Sequence, residues 1–482
     1  MTAGPVGGRI GSRIAVVGGG ISGLAAAYRL RRLLGPDAEI TVVEQARRLG
    51  GKLHAVDLAG RRYDVGAEAF LVRRPEVDAL VRELGLESWL THPAAVSAAI
   101  RVGGASRPIP PRTMLGVPAS AADVADVLSV DGTRRVAAES ELPPVDLAGA
   151  DIAVGALLRQ RLGPEVPDRL VDPLLGGVYA GSADSLGLRA TMPQLAAKLD
   201  AGAGSVLAAS ASLLPSATLG APRPPVFGTL EGGLAGLADR LAEASGARLR
   251  LGLPVRALLR RPDGWRLDIG AATDPDTLDV DAVLLAVPAP AARKLLADVA
   301  PAASAAFARV ELASMAVVAL ALPADVSLPP SSGVLIGSGE RHADGTPFTA
   351  KAFTYSSRKW EHLGGPGAVL VRGSVGRYGD AEILRRDDAD LVRAVRADFA
   401  ELTGVSAVPE DVVVTRWGGG LPQYGVGHVD VVAGIERAVA EVPGLAVAGA
   451  TLHGVGLPAC VATADAAAAR IAEHVRVRQP QP

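Results

Sequence analysis

Ile14-Ala15-Val16-Val17-Gly18-Gly19-Gly20-Ile21-Ser22-Gly23 is the stretch that decides the fold. Four consecutive apolar residues suit a parallel strand buried on both faces, and they run directly into G-x-G-x-x-G. Each glycine of that pattern has a mechanical role. Gly18 permits a tight turn, Gly20 lets a pyrophosphate come up against bare backbone, and Gly23 lets the following helix lie close to the strand. The pattern predicts a helix from about Ile21 to Leu34, ended by the stop pair Gly35-Pro36. The first turn of that helix, Ile21 and Ser22 included, would aim unpaired N–H groups and a positive dipole end at phosphates. A second strand, Ile40-Thr41-Val42-Val43, ends at Glu44, 21 residues beyond Gly23, where a carboxylate accepts from a ribose. We read the whole as a dinucleotide-binding β-turn-α-β unit rather than an unspecialised strand-turn-helix. The acidic residue favours a free 2′-hydroxyl and disfavours NADP.

The 482 residues correspond to about three lobes at roughly 150 residues per domain. Glycine (57) and proline (35) stay below low-complexity levels and 49% of residues are hydrophobic, which excludes disorder and collagen. With 49 basic and 51 acidic side chains the net charge is −2, so no global field draws in nucleic acid or an anionic membrane. Only five of the basic residues are lysine (52, 198, 294, 351 and 359), so an arginine alone says little about a bound anion. The single cysteine, Cys460, permits no internal disulfide and fits a reducing compartment. Arg9 and Arg13 followed by an uncharged run imitate a signal peptide, but the glycines of the phosphate loop interrupt it. Leu445 to Ala464 is uncharged and long enough to span a bilayer, yet Gly449, Gly454, Gly456 and Pro458 argue against a spanning helix. The expected location is the cytoplasm, with at most peripheral membrane contact.

Further along, residues 75–200 read as mostly helical, with Asp151 a candidate N-cap for a helix carrying Val154, Leu158 and Leu162. Residues 201–226 look like a connection between lobes. Mixed α/β structure follows: a helix over 234–244, short strands near 249–259, 265–269 and 282–287, and β-like runs between 311 and 420. The chain closes with Leu445-Ala446-Val447-Ala448, a glycine-rich loop and an alanine-rich helix.

Directly after Glu44 and Gln45 comes Arg47-Arg48-Leu49-Gly50-Gly51-Lys52, whose glycine pair could lay a second stretch of backbone beside the cofactor. This E-x-x-x-R-x-G-G-[RK] arrangement resembles the signature of the amine-oxidase-like flavoprotein superfamily. Pro443 to Gly449 is similar to that superfamily's last strand, and Gly454-Val455-Gly456-Leu457-Pro458 to the entry of its last helix. The resemblance implies a non-covalently bound FAD. A helix N-terminus near its pyrimidine ring would stabilise the anionic reduced form.

Within the superfamily the chain resembles the oxygen-dependent porphyrinogen oxidases in four stretches: Asp64–Leu71 with Arg73-Arg74-Pro75, Asp172–Gly181, Phe227–Leu234 and Leu421–His428. The second and fourth are the most specific. The resemblance implies six-electron oxidation of a porphyrinogen by FAD and O2, with H2O2 released, in haem biosynthesis. Coproporphyrinogen III is the first expectation and protoporphyrinogen IX the alternative. It implies no dedicated nucleophile and no metal, and the seven histidines show no metal-site spacing. Gly66, Ala67, Glu68 and Ala69 would line the flavin, as would Val255 and Trp417, although Ala67 replaces a proline common in the family. Gly177, Val178 and Tyr179 would wall the macrocycle, and Arg73 or Arg74 would pair with a propionate. A ferrochelatase is a candidate partner for product hand-off.

The expected architecture is α/β: a discontinuous FAD-binding domain (1–75, 226–290 and 411–482), a helical lobe (76–205) and a sheet-based substrate domain (291–410). The enzyme rival is a flavin amine oxidase, disfavoured because 449–458 holds no aromatic residue to wall a flavin. The rival from another class is a scaffold that has lost its flavin. Ser356-Ser357-Arg358-Lys359 imitates S-x-x-K without its companion motifs. Cys460 reads as a small buried residue, and His428 as a turn cap.

Overall fold

The computed structural model describes residues 12–215, 225–380 and 382–478. Arg13–Val17 is the central strand of a five-stranded parallel sheet, flanked by Glu39–Glu44 and Arg248–Leu251 on one side and by Ala282–Leu285 and Leu445–Val447 on the other. Ile14, Ala15 and Val16 are fully buried, as a strand covered on both faces must be. The helix Ile21–Leu34 buries Leu24, Ala25, Tyr28 and Leu30, and stops at Gly35, whose φ of +81° suits glycine. It packs with Ala235–Ser245 and the long Leu457–Arg478 helix into one apolar core. The opposite sheet face is covered by an antiparallel sheet (Val255–Arg261, Gly264–Ala271, Asp274–Val280) and the helices Ala289–Leu296, Pro301–Phe307 and His428–Ala440. Strands from the start, middle and end of the chain therefore build one sheet.

A second, seven-stranded sheet runs Asp411–Pro422, Leu312–Leu322, Val369–Val375, Ala350–Thr354, Gly333–Ile336, Ala99–Val102, Ala105–Pro108. The helix Asp388–Thr403 covers one face around Phe353, Val371 and Phe399. On the other face Ala319 and Ala321 meet Tyr63 and Val65, which end the hairpin Ala55–Leu58/Arg61–Asp64 and join the two sheets. The helical lobe has its own core of Leu157, Leu158, Leu170, Leu175 and Leu195.

The structure differs from expectation at four places. Residues 99–108, expected within the mostly helical stretch, form a hairpin on the second sheet, with Ile100 and Val102 turned inward. Its two-residue turn is Gly103-Gly104, both at positive φ, a conformation that favours tight hairpins. Asp411–Pro422, expected with the dinucleotide-binding segments, pairs along Leu312–Leu322 instead. The connection after residue 201 contains the helix Val206–Leu213, while 216–224 lie outside the described residues. Asp151 is no N-cap, since Val154–Leu162 starts after Ala153 without a side-chain cap. Its carboxylate instead accepts from the backbone of Ile152, Arg189 and the distant Gly427. Among the described residues no helix is long and apolar enough to cross a membrane.

Candidate cofactor and substrate site

The three motif glycines do different work. A Cβ on Gly18 (φ +108°) would lie 2.4 Å from the Ala286 carbonyl oxygen, and one on Gly23 would lie 1.8 Å from that of Gly18, so both are required by packing. Gly20 is extended (φ −78°), and a Cβ there would meet only the Cα of Gly51, at 3.8 Å. Gly50 N–H donates to Gly19 O at 2.8 Å, so the second glycine pair lies backbone to backbone beside the first. No side chain caps the Ile21–Leu34 helix and its first turn carries no acidic residue. Bare backbone and uncapped N–H groups fit the diphosphate of a dinucleotide. Glu44, at its strand end, accepts from Gly19 N (2.6 Å) and Ala46 N (2.7 Å), with Gln45 exposed beside it. Leu253 N–H donates to Glu44 O, which brings the strand beginning at Val255 to the same end of the site.

The C-terminal loop closes on this cradle. A Cβ on Gly449 (φ +126°) would lie 3.9 Å from Ser22 Oγ, and the Ser22 hydroxyl and Cys460 thiol are hydrogen-bonded. Burial raises the Cys460 thiol, with Lys52 near by; burial also lowers the Lys52 ammonium, although that side chain remains accessible to solvent, as on a cavity wall. Val455 and Gly456 lead into the last helix at Leu457, which is buried.

Gly66 and Trp417 lie together: a Cβ on Gly66 would lie 2.0 Å from Lys52 O and 3.2 Å from the Trp417 ring. Ala67 N–H donates to Lys52 O and Trp417 Nε1 to Val65 O. Ala69 is half-buried and follows in the same turn. The Glu68 side chain is engaged elsewhere, 2.5 Å from Lys359 Nζ and 3.2 Å from Arg372. Burial alone would raise this carboxyl, but Arg372 and Lys359 hold it down at about 2. Lys359 is thereby occupied and Ser356 lies 2.6 Å from Tyr63 Oη, which gives the S-x-x-K residues structural partners.

Beyond this cradle the stretches 172–181 and 421–428 interlock. Gly177 and Val178 are exposed at the end of the helix Asp172–Tyr179, while Tyr179 is buried with its ring 5.4 Å from that of Tyr424. Gln423 Nε2 donates to Tyr179 O, and Tyr424 Oη donates to Ala450 O at 2.7 Å, tying this wall to the C-terminal loop. His428, rather than capping a turn, is buried and stacked on Tyr424 at 4.0 Å. Arg73 and Arg74 are exposed. Arg74 pairs with Glu76 and lines a groove of about 450 Å³ with Glu436, His453 and Arg470, a set without any residue of 172–181. Among the described residues, Arg377 stands 3.5 Å from Asp172, with Lys351 beside it. The sequence offered a weak signal for the second, a lysine in a strand of a chain with few lysines.

Residues 21–472 match the family described as flavin containing amine oxidoreductase. The chain is 44% identical over 455 residues to the coproporphyrinogen III oxidase of Mycobacterium leprae, covering 94% of this chain and 96% of that protein. It is 30% identical to the coproporphyrinogen III oxidase of Bacillus subtilis, over 94% and 96%. A crystal structure of an Exiguobacterium protein provisionally named protoporphyrinogen oxidase superposes with a TM-score of 0.83 at 31% identity, covering 97% of this chain and 99% of that one.

Proposed function

The chain belongs to the flavin containing amine oxidoreductase family, and from that premise we propose that it binds FAD non-covalently and oxidises coproporphyrinogen III to coproporphyrin III in haem synthesis. The observation that carries this reading is the 449–457 loop, which lies beside Ser22 of the glycine cradle at Gly449 and accepts from Tyr424 of the aromatic wall at Ala450. Cofactor cradle and candidate macrocycle wall are thus continuous. Full-length likeness to coproporphyrinogen III oxidases supports the choice of substrate over protoporphyrinogen IX.

FAD, when bound, accepts hydride equivalents and passes them to O2, giving about three H2O2 per macrocycle for a six-electron oxidation. The protein's part is to hold and to exclude. Gly18, Gly20 and Ser22 would seat the diphosphate on the first helix, Glu44 and Val255 the adenosine end, and Gly51, Lys52, Gly66, Ala67, Trp417 and Leu457 the ring system. Cys460, kept as a thiol by burial, supports non-covalent attachment because the thiolate is the reactive form. Gly177, Val178 and Tyr179 would face the macrocycle. A cytoplasmic site of action and delivery of product to a ferrochelatase belong to the same proposal.

The test mixes FAD-loaded protein aerobically with coproporphyrinogen III, against a protein-free control for autoxidation. Porphyrin fluorescence should rise in proportion to enzyme, with about three H2O2 per porphyrin and flavin released on denaturation. A rate no faster than the control from protein that holds FAD, or faster turnover of protoporphyrinogen IX, would reject the substrate assignment.

A further inference from the structure

Lys351 lies on the strand Ala350–Thr354 and is 6% exposed, yet among the described residues its ammonium has neither a hydrogen bond nor an ion pair. Its charged neighbour is another cation, Arg377. Arg377 reaches its own acid, Asp172, only at 3.5 Å, and Asp172 already accepts from Ser338 Oγ (2.5 Å) and Ala183 N (2.8 Å). Two cations therefore stand together, one of them desolvated, with the nearby carboxylate committed to other donors. Burial first, and Arg377 second, lower the Lys351 ammonium to about 7. Such an arrangement is unfavourable in the empty protein, because a buried charge needs a partner. A carboxylate seated against both cations would supply it.

The surroundings show where such a group would come from. A Cβ on Gly176 would lie 2.9 Å from Arg377 Nη1, so Arg377 lies against the helix Asp172–Tyr179. A Cβ on Gly177 would meet Leu335 at 3.8 Å, an ordinary van der Waals contact, so this exposed end of the helix lies beside the sheet. Leu335 is the register partner of Ala352, next to Lys351. The cation pair thus flanks the exposed Gly177–Val178 end of the wall assigned above to the macrocycle.

We propose that Lys351 and Arg377 form a carboxylate-binding subsite that seats one propionate arm of the macrocycle against the Asp172–Tyr179 helix; this rests on the porphyrinogen reading of the same site. Lys351 acts as a positioning residue that favours substrates with more carboxylate arms.

The test uses FAD-loaded protein and the reaction product as a non-reacting probe: coproporphyrin III against its uncharged tetramethyl ester, with binding read by porphyrin fluorescence. Lys351→Met should weaken the tetra-acid by about tenfold, equivalent to about 1.4 kcal/mol, and leave the ester within about twofold. The KM for coproporphyrinogen III should rise while kcat changes little. The ligand-free variant should melt no lower than wild type, since the change removes an unpaired buried charge. Equal affinity of Lys351→Met and wild type for the tetra-acid, equal losses for acid and ester, or a lower melting temperature of the ligand-free variant would each overturn the subsite and leave the substrate reading standing. A wild type that binds neither probe would reject the substrate reading, and the subsite with it.

Discussion

Glu68→Gln tests the joint between the two sheets. The Glu68 side chain, 11% exposed, sits between Lys359 and Arg372, both carried by the second sheet and its following turn, while its own backbone continues the Gly66-Ala67 turn beside the Gly51-Lys52 loop. Removing one partner of a buried ionic group costs about 3–5 kcal/mol because the remaining charge is left unpaired. The depressed carboxyl gives a second measure: a fall from the ordinary 4.5 to about 2, at about 1.4 kcal/mol per unit, is about 3 kcal/mol. The sign follows from the depression. This stabilisation is fully present above pH 4.5 and is lost as pH falls through about 2, so the variant should be compared with wild type near neutrality. An unfolding entropy of roughly 2 cal/mol/K per residue over the whole chain is about 1 kcal/mol/K, which converts the loss into a fall in Tm of about 3 °C. Differential scanning calorimetry of both proteins at one protein and FAD concentration reads it directly. Adding Lys359→Met should recover more than half of the loss, because one of the two stranded cations is gone and Arg372 still donates to the Asp64 and Gly66 carbonyls. A Tm change below about 1 °C, or a double variant less stable than the single one, would refute the reasoning.

Gly20→Val should fold, since Gly20 has a backbone conformation open to any residue and its added Cβ meets nothing nearer than 3.8 Å. It should purify without the visible absorption of flavin and bind added FAD at least about tenfold more weakly; full FAD retention would place the diphosphate elsewhere. Asp64→Asn should act in the opposite sense to Glu68→Gln. Burial raises the Asp64 carboxyl to about 6, Oδ2 accepts from Leu234 N, and Oδ1 has no hydrogen-bond partner among the described residues. Its charged form penalises the fold above about pH 6, and the penalty is relieved as pH falls from 6 to 3.8. The Asn variant should therefore melt higher than wild type at about pH 8 and nearly equal to it at about pH 4, and a variant melting lower at both values would contradict this assignment.

The elements legible in the sequence are those whose signal is local. The glycine loop and its flanking strand and helix follow from positive φ, close approach and apolar run length, which act over a few residues. The hairpin at 99–108 carried a local signal too, alternation around Gly103-Gly104, but it lay within a stretch dominated by helical spacing. What could not be read was partnership over distance. Asp151 has the residue type of an N-cap and sits next to a helix, yet its decisive contact is with Gly427. Glu68 stands in a turn whose sequence suggested a place beside the cofactor, yet residues 291 and 304 positions away decide what its carboxylate does. Arg73 and Arg74 have the right chemistry for a propionate, but nothing in a sequence states which wall of which cavity a side chain faces.

The lysines show why residue choice matters once that partnership is known. In a chain that uses arginine almost by default, Lys198 and Lys294 lie exposed on helices, whereas Lys52, Lys351 and Lys359 all belong to the candidate site or its supporting joint. A buried guanidinium cannot shed its proton, while an ammonium can, so a position that must wait without a counter-ion is better tolerated as lysine. For Lys351, folded near 7 and unfolded near 10.5, the penalty of the charged form is present below about pH 7 and is relieved as pH rises toward 10.5. Lys351→Arg removes that relief. The ligand-free Arg variant should be less stable than wild type by an amount that grows between about pH 7 and 9, the reverse of the effect of Lys351→Met, and coproporphyrin III should restore part of the difference by supplying the missing carboxylate. Thermal melts across that pH range decide the matter. An Arg variant as stable as wild type throughout would mean that the position is not a cation waiting for its partner.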